Sequence, residues 1–175
     1  MNFPYILKHY NLFIGKRGDG LGASYAGKVT NVALPVLEIA TSEYQGVGMD
    51  MPLDVDMGMR KMTSSMTLRE YNPDAIKLFG LGTRAPASVA LKGVVDNESG
   101  DGPQKVEIQM DGMWTKIDMG SWATGKSQEM RLYLTVEYYK LTIGEEELVE
   151  IDVVNMVRKI NGVDALEGAR SILGL

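Results

Sequence analysis

Met130-Arg-Leu-Tyr-Leu-Thr-Val-Glu-Tyr-Tyr-Lys-Leu-Thr-Ile143 decides the fold class. Met130, Leu132, Leu134 and Val136 alternate with Arg131, Tyr133, Thr135 and Glu137. That period of two marks a strand with one buried face. The phase becomes unclear at Tyr138-Tyr139, the place for a β-bulge. In Lys105-Val-Glu-Ile-Gln-Met110 the same alternation puts Val106, Ile108 and Met110 on one side. Further strand-like stretches cover Tyr25 to Leu34, Val36 to Thr41, Met62 to Tyr71 and Ala87 to Val95. Gly18-Asp19-Gly20, Asn97 to Gly102 and Asp111-Gly112 read as turns between them.

One helix is signalled by Asn72 as cap, Pro73 at the first helical position, Asp74 at the positive end of the dipole and Gly80 as a stop. A second, shorter helix is expected within Val163 to Leu173. No internal repeat, linker or low-complexity block interrupts the chain. The expectation is one domain over residues 1–175, mainly β: an antiparallel barrel or sandwich with one flanking helix and a short C-terminal helix.

Composition narrows the function. The chain has 175 residues, 45% of them apolar, enough for one substantial core. A net charge of -5 and a pI near 5.0 argue against a nucleic-acid grip, which needs clustered Lys and Arg. Cysteine is absent, which removes disulfides, thiolate zinc sites and cysteine nucleophiles. His9 is the only histidine, so two-histidine metal sites and most acid–base relays are unavailable. The opening MNFPYILKHYN has too short an apolar run for a signal peptide, and no segment approaches a membrane span. The sequence thus predicts a soluble protein made in a cytoplasm, without a membrane anchor.

Several short patterns imitate active sites. Gly120-Ser-Trp-Ala-Thr-Gly-Lys-Ser127 fits G-x-x-x-x-G-K-[ST], with Lys126 for phosphates and Ser127 for magnesium. That chemistry needs a helix directly after the lysine, and the strand from Met130 follows instead. A nucleotide-binding enzyme built on Gly120–Ser127 is therefore the weaker alternative. Gly18-x-Gly20-x-x-Ala23 also precedes strand-like sequence and reads as a turn. Arg17-Gly18-Asp19 is a triplet that recurs by chance.

Glu43-Tyr-Gln-Gly-Val-Gly-Met-Asp-Met-Pro-Leu-Asp-Val-Asp-Met-Gly58 is harder to place. Asp50, Asp54 and Asp56 lie in a run that reads as lacking a helix or strand period. As a calcium loop it fails: from Asp54 the required glycine comes one position early and Ser65 stands where a bidentate glutamate belongs. A calcium-dependent binding module using these carboxylates in some other geometry is the second alternative. The 12 methionines and the tyrosines suit apolar strand faces better than a binding surface.

The C-terminal stretch ELVEIDVVNMVRKINGVDALEGARSILGL closely resembles the ending of major tail tube proteins of contractile-tailed bacteriophages and R-type tailocins. The matching residues are Glu150-Ile151-Asp152, Asn161-Gly162-Val163-Asp164, Arg170 and Leu173-Gly174-Leu175. Asn11-Leu12-Phe13, Leu34-Pro35, Phe79-Gly80-Leu81 and Tyr138-Tyr139-Lys140-Leu141 follow the family in the same order. So do Tyr44, Gly48, Met49, Asp50, Asp56, Met57 and Gly58. Gly15 to Gly22 looks longer than the family's first hairpin, and Lys126-Ser127 is no family hallmark.

The resemblance implies a structural subunit, not an enzyme, with no cofactor, metal or catalytic residue. It implies hexameric rings stacked into a hollow tube inside a contractile sheath, in a virion or tailocin particle assembled in the bacterial cytoplasm. The implied partners are further copies of the chain, the tail sheath protein, the baseplate hub and the tape-measure protein. DNA would be only a transient passenger, and only in a phage. Residues 42–58 then become a contact segment between subunits, with Tyr44, Gly48, Met49, Asp50, Asp56 and Met57 as its candidate residues.

Overall fold

The computed structural model describes residues 3–80, 87–97, 99–100 and 102–175. Strand β9 (Met130–Ile143) coincides with the deciding stretch and organises the sheet around it. Along one edge it pairs antiparallel with β8 (Gln104–Asp118) over nearly its whole length. Its other edge is shared. Met130 to Val136 pair with β6 (Met62–Leu68), and Tyr138 to Ile143 pair with β10 (Glu146–Asp152). The sheet therefore forks at β9.

One branch continues through β10 to β11 (Val157–Ile160) and β12 (Val163–Asp164). The other branch ends at β3 (Val29–Ala33), paired with β6. From β8 the sheet runs through β7 (Ala87–Asp96) and β1 (Ile6–Lys16) to the short β2 (Ala23–Ser24). Tyr25 to Lys28 join β2 directly to β3, so the chain itself draws the two ends of this path together. The antiparallel sheet is rolled, and the roll encloses the core.

Alternation fills that core. Leu12 and Ile14 of β1, Val89 of β7, Met110 and Trp114 of β8, Met130, Leu132 and Leu134 of β9, and Met62 and Met66 of β6 are all buried. Fully burying a side chain of this size stabilises by about 1.5–3 kcal/mol. Helix α1 (Pro73–Lys77) plugs against β1 and buries Ala75. Asn72 Oδ1 caps it, accepting from the amides of Asp74 at 2.9 Å and Ala75 at 3.3 Å. The helix ends at its cap Leu78, just before Gly80; Leu81 lies outside the described residues.

The bulge expected near Tyr138 is present. Asp111 lies opposite Tyr138 and Gly112 opposite Val136, which leaves Glu137 as the extra residue. Asp111-Gly112 is therefore not a turn but the middle of β8. The glycine serves close approach: a Cβ there would stand 2.0 Å from Thr135 O. The expected turn at Gly18–Gly20 does lie between β1 and β2. Asn97 to Gly102 includes two residues, 98 and 101, outside those described.

Other differences have equally local causes. The apolar run Tyr25 to Leu34 is a strand only from Val29, because Tyr25 to Lys28 make a turn, closed by the Lys28 amide donating to Tyr25 O, with the Tyr25 side chain buried in the core. The strand expected at Val36 to Thr41 lies instead at β4 (Ile39–Tyr44). Residues 42–58, expected as an unstructured loop, are most of a hairpin formed by β4 and β5 (Leu53–Met59). Its alternation, Leu53, Val55 and Met57 against Asp54 and Asp56, is visible in the sequence once the glycines before it are set aside. The C-terminal helix α2 spans Glu167–Leu173, since Val163 and Asp164 form β12 after an Asn161-Gly162 turn with positive φ at both residues.

Candidate functional site

The β4–β5 hairpin forms a sheet of its own, with no hydrogen-bonded ladder to the rolled sheet among the described residues. Register sorts its side chains. Tyr44 faces Leu53 and Ser42 faces Val55, while Glu43 faces Asp54 and Thr41 faces Asp56. Strand neighbours directly opposite share a face. One face is therefore apolar and the other acidic. The apolar face is uncovered: Tyr44 is 58% exposed, Met57 65%, and Leu53 and Val55 also lie open. On the other face Glu43 and Asp54 stand as a like-charge pair, an arrangement unfavourable unless a cation joins it. No lysine or arginine occurs between Ile39 and Met59.

At the tip, Met49 folds back. Its amide donates to Gly46 O at 3.2 Å and its sulfur accepts from the Gly46 amide at 3.1 Å. Gly48 provides the positive φ of this turn, and Asp50 beside it is exposed to solvent. Val47 and Met51 of the tip are strongly exposed. Of the six residues singled out by sequence, Tyr44 and Met57 thus present apolar surface, and Gly48 and Met49 shape the tip. Leu53, Val55, Val47 and Met51 join them only through the structure. The alternation of β5 is the signal that points to the first two.

Asp56 has a different place. Arg158 Nη2 and Nη1 donate to its two oxygens at 2.6 and 3.3 Å, and its Oδ1 also accepts from the Gly58 amide at 2.7 Å. The Arg158 hydrogen bonds, then that amide, hold its carboxyl below the usual range. The ion pair clips the hairpin root to β11. From there the network continues: Asp164 accepts from the Arg158 amide and from Arg170 Nη1, which also donates to Met156 O at 2.8 Å. Asp164 is likewise held low, by the Leu166 amide first and Arg170 second. The C-terminal motif thereby acquires roles. Ile151 is core, Asp152 caps the turn at Val154-Asn155, and Asp164 with Arg170 fastens α2.

The alternative sites do not assemble. Residues Gly120 to Ser127 carry no helix and lead into β9. Asp118, Glu129 and Arg131 line the open cleft beside Lys126 and Ser127, so carboxylates stand where phosphates would have to enter. Asp50, Asp54 and Asp56 do not converge: Asp56 is engaged by Arg158. No cluster of three or more potential metal-ligating His, Asp or Glu residues occurs among the described residues.

A rolled antiparallel sheet with an acidic, apolar arm standing off it defines a structural assembly subunit. The chain belongs to the phage tail tube protein FII family, whose model matches residues 4–174. It is 32% identical to the tail tube protein of Escherichia phage P2, over the full length of both chains. The major tail tube protein of Serratia phage KSP20 is 28% identical over 93% of this chain and 91% of its own.

Two solved structures share the fold at low identity. One is a chain of the anti-feeding prophage baseplate, with a TM-score of 0.55, 10% identity, and coverage of 81% of this chain and 97% of that one. The other belongs to the extended sheath–tube complex of the PVC extracellular contractile injection system. It has a TM-score of 0.56, 11% identity, and coverage of 79% and 91%.

Proposed function

We propose that this protein is the subunit of the inner tube of a contractile phage tail or tailocin, folded as one domain. Hexameric rings stack into a hollow conduit that is driven through the target cell envelope. The working partners are neighbouring copies, the sheath, the baseplate hub and the tape-measure protein, with DNA only passing through if the particle is a phage. The protein acts by assembly, without a catalytic step.

The observation that carries this reading is the hairpin. Among the described residues its apolar face lacks cover and its Glu43–Asp54 pair lacks a cation, and a second copy offers both kinds of surface. Head-to-tail contacts of this sort close into rings or extend as filaments. Lys61 and Lys116 have no carboxylate partner among the described residues and are available to meet an acidic arm.

Negative-stain microscopy of the purified full-length protein tests the proposal. Rings or tubes are expected, unchanged in Lys126→Ala and insensitive to chelators. Dispersed monomers at all concentrations, or ATP hydrolysis lost in Lys126→Ala, would overturn it.

A further inference from the structure

One part of the outward face carries a ladder of paired charges: β7, residues 104–111 of β8, residues 138–143 of β9, β10 and β11. Cross-strand register places Lys92 beside Glu107, and Lys140 beside Glu150, which in turn lies beside Lys159. Glu107 meets Lys105 at 3.2 Å and Lys92 at 3.4 Å. Glu147 pairs with Lys140, and Glu150 takes Lys159 at 3.2 Å and the Tyr138 hydroxyl at 3.1 Å. Every lysine of this ladder has a carboxylate partner on the same face.

The outward face on the other side of the β9 bulge contrasts with it. There Thr63, Ser65 and Thr67 of β6 lie beside Thr135, Tyr133 and Arg131 of β9. Lys116 sits 5.0 Å over the Tyr133 ring, without a carboxylate partner among the described residues. Most exposed large apolar side chains lie elsewhere, in the hairpin, both ends of the chain and the connecting segments; Met113 lies open on β8 just beyond the ladder, and within the ladder only Val94 is markedly open among the described residues.

Resting on the tube assignment, we infer that the ladder face of β7–β11 is the wall of the bore, a charge-compensated surface past which a polyanionic polymer slides without being held. A tube has two wetted surfaces, its bore and its outside. Free lysines facing a polyanion release condensed counterions and bind it in a salt-dependent way. A lysine already neutralised by a neighbouring glutamate has little such release to offer. The ladder face meets that requirement and the hydroxyl-rich face does not. Compensation, rather than the protein's net negative charge, is what keeps this wall non-adhesive.

The Gly15–Gly22 turn bends over the same face. Arg17 Nε lies 3.5 Å from Oδ2 of buried Asp111, whose Oδ1 has no hydrogen-bond partner among the described residues. Leu21 closes a small cavity of about 150 Å³ against Ala90, Gln109 and Lys140. Each subunit would thus raise one turn above the wall and narrow the bore.

The absence of cysteine permits a direct test, because a single introduced thiol reports one position. Gln109→Cys and Val94→Cys mark the ladder face, and Thr63→Cys marks the hydroxyl-rich one. Assembled tubes are treated with a small maleimide or with the same maleimide carried on a large globular protein. Positions 109 and 94 should react only with the small reagent in tubes and with both reagents in dissociated subunits. Position 63 should not show that pattern.

Reaction of positions 109 and 94 with the bulky reagent in tubes would put the face outside and overturn the inference. Resistance to both reagents, or loss of tubes in both ladder variants with the subunit still folded, would place the face in a subunit contact and overturn it equally. A small-reagent-only pattern at position 63 would assign the bore to the other face. Absence of tubes from the unmodified chain is a separate failure, of the tube assignment itself, and would remove the inference with it.

Discussion

The ladder sheet and the β4–β5 hairpin use the same antiparallel pairing and the same two-residue alternation, yet they end in opposite conditions. In the ladder, apolar side chains such as Ile108, Tyr139 and Ile151 enter the core while the lysines and glutamates outside neutralise one another. In the hairpin, Tyr44, Leu53 and Val55 face water, and Glu43 opposes Asp54. Alternation specifies a strand, but what lies against each face specifies whether the strand is complete. The ladder is finished within one chain, whereas the hairpin keeps an uncovered apolar face.

The largest expected effect follows from that asymmetry. Tyr44→Ala combined with Val55→Asp should abolish tubes while leaving a folded subunit, because both side chains are largely exposed within the chain. Surface changes of this kind usually alter stability by about 0.5 kcal/mol or less. Sedimentation and thermal melting read the two outcomes separately. Normal tubes from this variant would show that the hairpin is not the contact. Leu134→Ala in β9 is the converse. Leu134 is fully buried between β6 and β8, and its truncation should cost about 2–5 kcal/mol in denaturant unfolding. A loss below about 1 kcal/mol would mean that the roll collapses around the cavity.

The same contrast explains what can be read from sequence. Strands β6 to β9 are legible because each has one buried and one wet face, and α1 is legible from Asn72, Pro73 and Asp74. Strand β1 gives no such signal in its first half, since Ile6 to Tyr10 are exposed on both faces and show no alternation. Strand β10 hides for another reason: its bulge at Leu148 breaks the phase between Glu147 and Val149. Asp111-Gly112 has the composition of a turn, and only the Thr135 carbonyl, which would collide with any Cβ at 112, shows why glycine stands inside a strand. For the candidate interface, the family motif locates the segment but not the side chains that matter. Arg158 lies 102 residues from Asp56, and no local pattern announces a partner at that distance.

A smaller effect is expected at the hairpin root. Asp56→Asn removes the carboxylate that receives Arg158 and leaves the strand pairing of β4 with β5 intact. Hydrogen exchange should accelerate in residues 39–59 with little change in β8 or β9, and tubes should form more slowly because the arm is less well aimed. Unchanged exchange in the hairpin would show that its own ladder, and not the Arg158 clip, fixes its position. Acid should imitate the substitution. Asp56 is held below its ordinary value, so the clip is fully present above that value and is lost as pH falls through the lowered one.

The smallest effect belongs to the ladder, and a ladder finished within one chain should show just that. Glu107 is held low chiefly by Lys105, and Glu147 chiefly by Lys140. Lys159 is raised, first by its hydrogen bond to Glu150. The carboxylate contributions persist above the ordinary glutamate value of about 4.3 and fade as pH falls through the depressed values. The Lys159 contribution is complete below the ordinary lysine value of about 10.4 and fades as pH rises through the elevated one. Between those limits every pair is charged, so the wall should keep one state across the neutral range. Glu150→Gln breaks one rung: it leaves Lys159 only the longer, 4.0 Å pairing with Glu147 and removes the carboxylate that accepts from Tyr138. Exposed ion pairs contribute little to stability, and no resolvable change in Tm is expected. What should change is adhesion: gel-shift titration of tubes with linear duplex at low salt should show weak retention by the variant that vanishes on adding salt, and none by the unmodified tubes. Retention by the unmodified tubes, weakening steeply with salt, would mean that free cations already face the duplex. The ladder would then not be the surface it meets.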